Sequence, residues 1–205
     1  MSDAVRDAVI PLSSPLLAGN EWVYVKDCLD TGWVSSAGSY VDRFEGMVAE
    51  YLGVSSAVAT VNGTAALHVS LLVTGVGPGD EVIVPSLTFI APVNVVRYCG
   101  AYPVFMDCER STLCLDVGKV LQFFEQECEQ RSKALFNRRS GRRIKAIIPV
   151  HVFGHPADMA ALDSACAGSG VEILEDAAES LGSEFRGRKT GTMGRLGCLS
   201  FNGNK

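Results

Sequence analysis

Four stretches of the 205-residue sequence end in residues that could act together on a small molecule. In LSFNGNK an apolar run leads to Ser200 and Lys205. A hydroxyl there can donate to a phosphate, and a lysine amine can form a Schiff base with a carbonyl; a plain surface lysine at a frayed segment is the competing reading. In VEILEDAAES a strand pattern delivers Glu175 and Asp176 to its carboxyl end, where a carboxylate can act as counter-ion to a protonated ring nitrogen or cap the helix-like AAESLG. In VNGTAALHVSLL a turn at Asn62-Gly63 separates a strand pattern from a helical one. Backbone N–H groups at a helix start, a glycine that permits close approach and the Thr64 hydroxyl make an anion site; an ordinary strand–turn–helix capped by Asn62 or Thr64 looks the same. In PSLTFIAPVN, Phe89 follows a strand end, so its ring either stacks on a flat ligand or joins the core. The chain carries neither G-x-G-x-x-G nor G-x-x-x-x-G-K-[ST], which weighs against dinucleotide and P-loop readings.

These residues need a scaffold that brings strand ends to one edge, and the chain patterns supply one. NEWVYVKDCLDTG reads as a helix with Asn20 as N-cap and Gly32 as its stop, and SYVDRFEGMVAEYLG as another with Val41, Phe44, Val48 and Leu52 on one face. Strand-like runs follow at AVATV (57–61), EVIVP (81–85), YPVFMD (102–107), IKAIIPV (144–150), VEILED (171–176) and GCLSF (197–201), mostly separated by helical stretches. Such alternation predicts an α/β fold with a largely parallel sheet covered on both faces. The segment from Val117 to Arg143 is expected to form a helix and a mobile loop. Within it, the run Arg138 to Arg143 reads as a solvated loop rather than an anion site.

Composition narrows the function classes. A hydrophobic content of 47% supports a sizeable core, and a net charge of −5 without a long basic tract argues against nucleic acid as a partner. Seven scattered cysteines, an odd number with no C-x-x-C pair, suit free thiols in a reducing cytoplasm. His151 and His155 are four apart, but Gly154 and Pro156 break any helix that would align them, so no metal site is expected. No apolar run reaches about 18 residues and the N-terminus lacks a charged-then-apolar leader, so neither a membrane span nor secretion is expected.

An anion turn, an acidic strand end, an aromatic strand end and a lysine together describe one cofactor, pyridoxal 5′-phosphate, whose ring accepts electrons best when a carboxylate keeps its nitrogen protonated. Here the sequence resembles a known family, the DegT/DnrJ/StrS sugar aminotransferases. The likeness runs through PLSSPLLAGNEW, NGTAALH, GDEVIVPSLTFIAPVN, VHVFGHPADM, EDAAESLG and SFNGNK. It is strongest for the branch that aminates nucleotide-linked 4-keto-6-deoxy sugars on the bacillosamine and legionaminic acid routes, where TGWVSS also occurs.

The resemblance implies the three-layer αβα large domain of fold type I pyridoxal phosphate enzymes over residues 36–205, preceded by an N-terminal segment, 1–35. It implies that Lys205 is the Schiff-base lysine, Asp176 the partner of the pyridine nitrogen and Phe89 the stacking ring. Gly63, Thr64, Ala65 and Ser200 match the phosphate cradle, and Glu179 stands where many relatives have Gln near the 3-hydroxyl. Trp33 and Ser35 fall in a segment near the sugar site. The implied reaction moves an amino group from glutamate to C4 of a UDP-linked 4-keto-6-deoxy sugar, in a homodimer with shared sites. Related dehydratases carry histidine in place of the lysine, so Lys205 favours transamination over dehydration or isomerisation; a catalytically silent cofactor-binding relative is the other alternative. Relatives continue for roughly as many residues again, with further strands and a small C-terminal domain, so the chain is expected to leave sheet edge and apolar surface uncovered.

Overall fold

A computed structural model describes residues 14–203 and residue 205. The first residues of PLSSPLLAGNEW and the rest of 1–13 in segment 1–35 lie outside the described residues. In chain order the helices are α1 (Glu21–Thr31), α2 (Ser39–Leu52), α3 (Gly63–Val73), α4 (Ile90–Tyr98), α5 (Val117–Glu127) and α6 (Met159–Cys166). The strands are β1 (Glu81–Pro85), β2 (Tyr102–Met106), β3 (Cys128–Arg131), β4 (Ala134–Asn137), β5 (Arg143–Ile147), β6 (Glu172–Asp176), β7 (Glu184–Phe185), β8 (Arg188–Lys189) and β9 (Leu196–Cys198).

Five strands run parallel in the spatial order β2, β1, β5, β6, β9. Every residue of β1 is buried. Because side chains alternate along a strand, Ile83 enters one core with Ile144, Ile147, Leu162 and Val120, while Val82 and Val84 enter the other with Leu67, Leu71, Val95 and Leu174. Helices α5 and α6 therefore cover one face and α3 and α4 the opposite face, which makes three αβα layers. Burial of each such side chain contributes roughly 1.5–3 kcal/mol, so both faces hold the sheet in place. The carboxyl ends of all five strands then lie along one edge.

Three sequence expectations are corrected. The segment 128–137 is no mobile loop: β3 and β4 form an antiparallel hairpin, and β4 pairs with the first half of β5. Alternation is visible in β4, where buried Leu135 and Asn137 alternate with half-buried Ala134 and Phe136, and Cys128 at the start of β3 is buried opposite Asn137. The run AVATV forms no strand; Val58 and Val61 are exposed, and no ladder runs along it among the described residues. Asn20 occupies the N-cap of α1, but its side chain makes no capping bond. Gly32 and Gly53 end α1 and α2 in the left-handed conformation as expected.

The basic run is paired and stacked. Arg138 meets Glu129, and Arg142 lies 4.0 Å over the Tyr102 ring. All seven cysteines are free; burial pushes Cys128 and Cys166 up to about 12 and Cys198 to about 11, so these thiols pack as small apolar groups. Among the described residues no helix is long and apolar enough to cross a membrane. Neither α1 nor α2 buries a side chain fully, and Trp22, Leu29 and Met47 stay exposed. The outer edge of β9 pairs with no strand among the described residues; a groove of about 780 Å³ runs beside it, walled by Val58, Val61, Val73 and Leu196.

Candidate active site

The strand ends bring most of the candidate residues together. Strand β6 ends on Asp176, which is 5% exposed. Its Oδ1 accepts the Ala178 N–H at 3.1 Å, while Oδ2 has no donor among the described residues. Burial raises the pKa of this carboxyl; the Ala178 N–H, His151 and Lys205 pull the other way and do not prevail. Three residues on, Glu179 places Oε1 3.2 Å from Lys205 Nζ, and its Oε2 accepts the Phe153 N–H at 3.0 Å. Lys205 Nζ is 6.0 Å from the centre of the Phe89 ring. That ring is 73% exposed at the start of α4, so it is free to cover a flat ligand instead of filling the core.

The anion turn is built at the start of α3. Asn62 caps it through Oδ1, which accepts the Ala65 N–H at 2.8 Å. The Ala65 amide is therefore committed to the cap, and the amides of Gly63 and Thr64 are the ones without an acceptor among the described residues. Gly63 packs against the arm that follows β9: a Cβ there would sit 3.1 Å from Ser200 Cβ and 3.3 Å from the Leu199 carbonyl oxygen. A side chain there would push helix and arm apart by a few tenths of an ångström, so glycine suits this close approach. Trp33 and Ser35 lie on the exposed segment between α1 and α2. No hydrogen bond or aromatic contact joins them to Lys205, Asp176 or Ser200 among the described residues.

Two residues of this edge were not recognisable as a unit from sequence. Glu175 and His151 are fully buried. His151 Nδ1 accepts the Ala157 N–H at 3.1 Å, so the ring proton sits on Nε2, which donates to Glu175 Oε2 at 2.9 Å. Glu175 also accepts the N–H groups of Gly191 at 2.8 Å, Met193 at 2.5 Å and Gly194 at 2.6 Å. Burial works to raise the Glu175 pKa, but His151 and these backbone donors outweigh it and hold the group below the ordinary carboxylate value. The His151 ring is thus committed to a carboxylate and a backbone amide. The signal that could have exposed this network was the glycine spacing in TGTMGRLG: a Cβ at Gly197 would stand 2.0 Å from the Gly191 carbonyl oxygen, and one at Gly194 2.6 Å from that of Ile173.

These donors and acceptors fit pyridoxal phosphate. A buried carboxylate with one open oxygen suits a protonated ring nitrogen, two free amides and a serine suit a phosphate, an exposed ring suits a planar face, and the lysine amine suits an aldehyde.

Comparison with known proteins agrees with that chemistry. GDP-perosamine synthase of Caulobacter vibrioides is 44% identical over 205 residues, a match that takes in 100% of this chain and 50% of that protein. The solved structure of 3-amino-5-hydroxybenzoic acid synthase superposes with a TM-score of 0.80 at 32% identity, over 95% of this chain and 47% of that one. The PLP-form of Spr1654 from Streptococcus pneumoniae superposes at 0.79 with 27% identity, over 96% of this chain and 50% of that one. The chain spans about half the length of the curated relatives it matches. Residues 16–205 match one family throughout, and the chain accordingly belongs to the DegT/DnrJ/EryC1/StrS aminotransferase family.

Proposed function

We propose that the protein carrying this chain is a pyridoxal phosphate-dependent nucleotide-sugar aminotransferase that moves the amino group of glutamate to C4 of a 4-keto-6-deoxy sugar. The reading is supported above all by one arrangement: the Lys205 amine stands beside Glu179 and an exposed Phe89 face, and its charge acts on the buried Asp176 carboxyl, which has one oxygen without a donor among the described residues. When bound, the cofactor supplies an electron sink for the carbon from which a proton is removed.

The chain's own residues would hold and steer that chemistry. Asp176 would face the ring nitrogen, and its buried position makes the interaction strong because little water competes. Gly63, Thr64 and Ser200 would hold the phosphate through two amides and a hydroxyl. Ala65, named with them by resemblance, would contribute through its place in the first turn, since its amide already serves Asn62. Phe89 would cover one face of the ring. Lys205 is, among the described residues, the amine at this edge bonded to a carboxylate of the site, and it would take a proton from one carbon and return it to another, with Glu179 holding Nζ in place between the two. Trp33 and Ser35 remain candidates for the sugar side. A homodimer that completes each site from two chains is part of the same proposal.

For the nucleotide, the relatives favour a second reading over the expected UDP. The GDP-perosamine synthases of Caulobacter vibrioides and Vibrio cholerae are 44% and 41% identical to this chain, and their name specifies GDP. A GDP-linked 4-keto-6-deoxy sugar is therefore the preferred substrate class, with the UDP-linked bacillosamine and legionaminic precursors second. The experiment is direct. The intact protein with pyridoxal phosphate should show an absorbance band near the visible edge, and borohydride should leave the cofactor's mass on Lys205. With glutamate and either nucleotide sugar, one equivalent of 2-oxoglutarate should form per amino sugar, faster with GDP. Sugar turnover without 2-oxoglutarate would instead mean a dehydratase or isomerase, and cofactor binding without turnover a silent relative.

A further inference from the structure

We propose that Glu175 is a positioning residue for the phosphate-binding arm, an inference that rests on the pyridoxal phosphate reading of the site. Neighbouring side chains on a strand point to opposite faces, so while Asp176 turns toward the site, Glu175 turns behind it into the 191–194 turn. Its two oxygens accept four bonds there, from Gly191, Met193, Gly194 and His151.

That turn leads directly into β9. The β9 ladder is short: Leu174↔Leu196, Glu175↔Gly197 and Asp176↔Cys198 pair it with β6, and bonds from the Arg195 N–H to the Ile173 oxygen at 2.7 Å and from the Ala177 N–H to the Cys198 oxygen at 2.8 Å extend it by one step at each end. So short a ladder on a single edge specifies register and tilt only weakly. The Glu175 carboxylate removes that freedom by fixing the turn to the same strand that carries Asp176. Past the end of β9, Ser200 then packs so closely on Gly63 that a Cβ added there would stand 3.1 Å from Ser200 Cβ. The second set of bonds reaches the other side: His151, held by Glu175, donates its own main-chain N–H to the Asp176 carbonyl oxygen at 3.1 Å. One buried carboxylate thereby sets the separation between the ring-nitrogen partner and the phosphate arm.

If this is its role, a fault at Glu175 should injure phosphate recognition selectively. The test compares Glu175→Gln with the unaltered intact protein, measuring dissociation constants for pyridoxal phosphate and for pyridoxal, which lacks the phosphate. Glutamine keeps the size but turns an NH2 group toward backbone donors. Positioning predicts that the preference for the phosphorylated form falls at least about tenfold, with pyridoxal binding changed by less than about threefold. An unchanged preference, even with a lowered melting temperature, overturns the inference and leaves Glu175 as a stability residue only. Absence of any phosphate preference in the unaltered protein would instead sink the cofactor reading itself. A second measurement does not depend on the variant folding: in the unaltered protein the amides of Gly191, Met193 and Gly194 should exchange as slowly as those of β6. Exchange at the rate of an open loop overturns the inference.

Discussion

Glu175 and Asp176 are consecutive carboxylates on one strand, and the two sides of the sheet end treat them in opposite ways. Behind the strand, four donors surround Glu175, and its pKa is lowered despite full burial. In front, Asp176 has a single backbone donor among the described residues and its pKa is raised. Burial is common to both, so the number of donors decides the sign. The back is a closed structural network. The front is left short of donors, which costs stability in the free protein and leaves an acceptor ready for a cationic ligand group.

The largest effects should come from the front. Lys205→Ala removes the amine bonded to the Glu179 carboxylate, and turnover should fall by roughly 10⁴-fold or more while the fold is retained, as read by initial rates alongside circular dichroism. Next, Asp176→Asn should lower kcat by roughly 10²–10³-fold, because a neutral amide cannot stabilise a ring cation. If kcat instead survives Asp176→Asn, the front carboxylate is a structural group like its neighbour, and the comparison collapses.

Much of this edge was legible in the sequence because strand ends, turns and glycines carry local signals. Asp176, Phe89, Gly63 and Lys205 were each found after an apolar run; the parallel sheet lines up the runs before Asp176, Phe89 and Lys205, while Gly63 joins them through the packing of α3 on the arm after β9. What was not legible depends on distant partners. Glu175 and Asp176 look alike in VEILED, since which one meets Gly191 and Met193 depends on the direction of the pleat and on a turn 16 to 19 residues away. AVATV has the composition of a strand, yet a strand exists only where a neighbour supplies the ladder. The 128–137 hairpin was hidden because its inward residues include Cys128 and Asn137, the latter buried through a bond from Nδ2 to Glu81 Oε2 at 2.9 Å.

The smaller effects concern stability, and their signs test the same contrast. Glu175→Gln should destabilise by about 3 kcal/mol, since several buried donors lose a charged acceptor; in a domain of this size that is a fall in Tm of roughly 6–12 °C. Asp176→Asn in the cofactor-free protein should do the reverse and raise Tm by roughly 2–4 °C, because the amide keeps the oxygen facing Ala178 N–H and removes a buried charge.

The pH dependence of those two differences separates the two sides most finely. A carboxyl whose folded-state pKa is raised is penalised only when it ionises. The advantage of Asp176→Asn should therefore be full at neutral pH, shrink as pH falls through the raised pKa, and vanish below the unfolded-state value of about 3.9, where the group is protonated folded or unfolded. Glu175 follows the opposite rule. Its lowered folded-state pKa makes its contribution complete above about pH 4.3, and that contribution is lost only as pH falls through the lowered value. On descending from neutral pH, the Tm curves of Asp176→Asn and the unaltered protein should thus converge first, while the gap to Glu175→Gln stays constant until the pH drops below about 4. Convergence in the reverse order would mean that donor count does not set the two carboxylates apart, and that the front of the strand is as well supplied as the back.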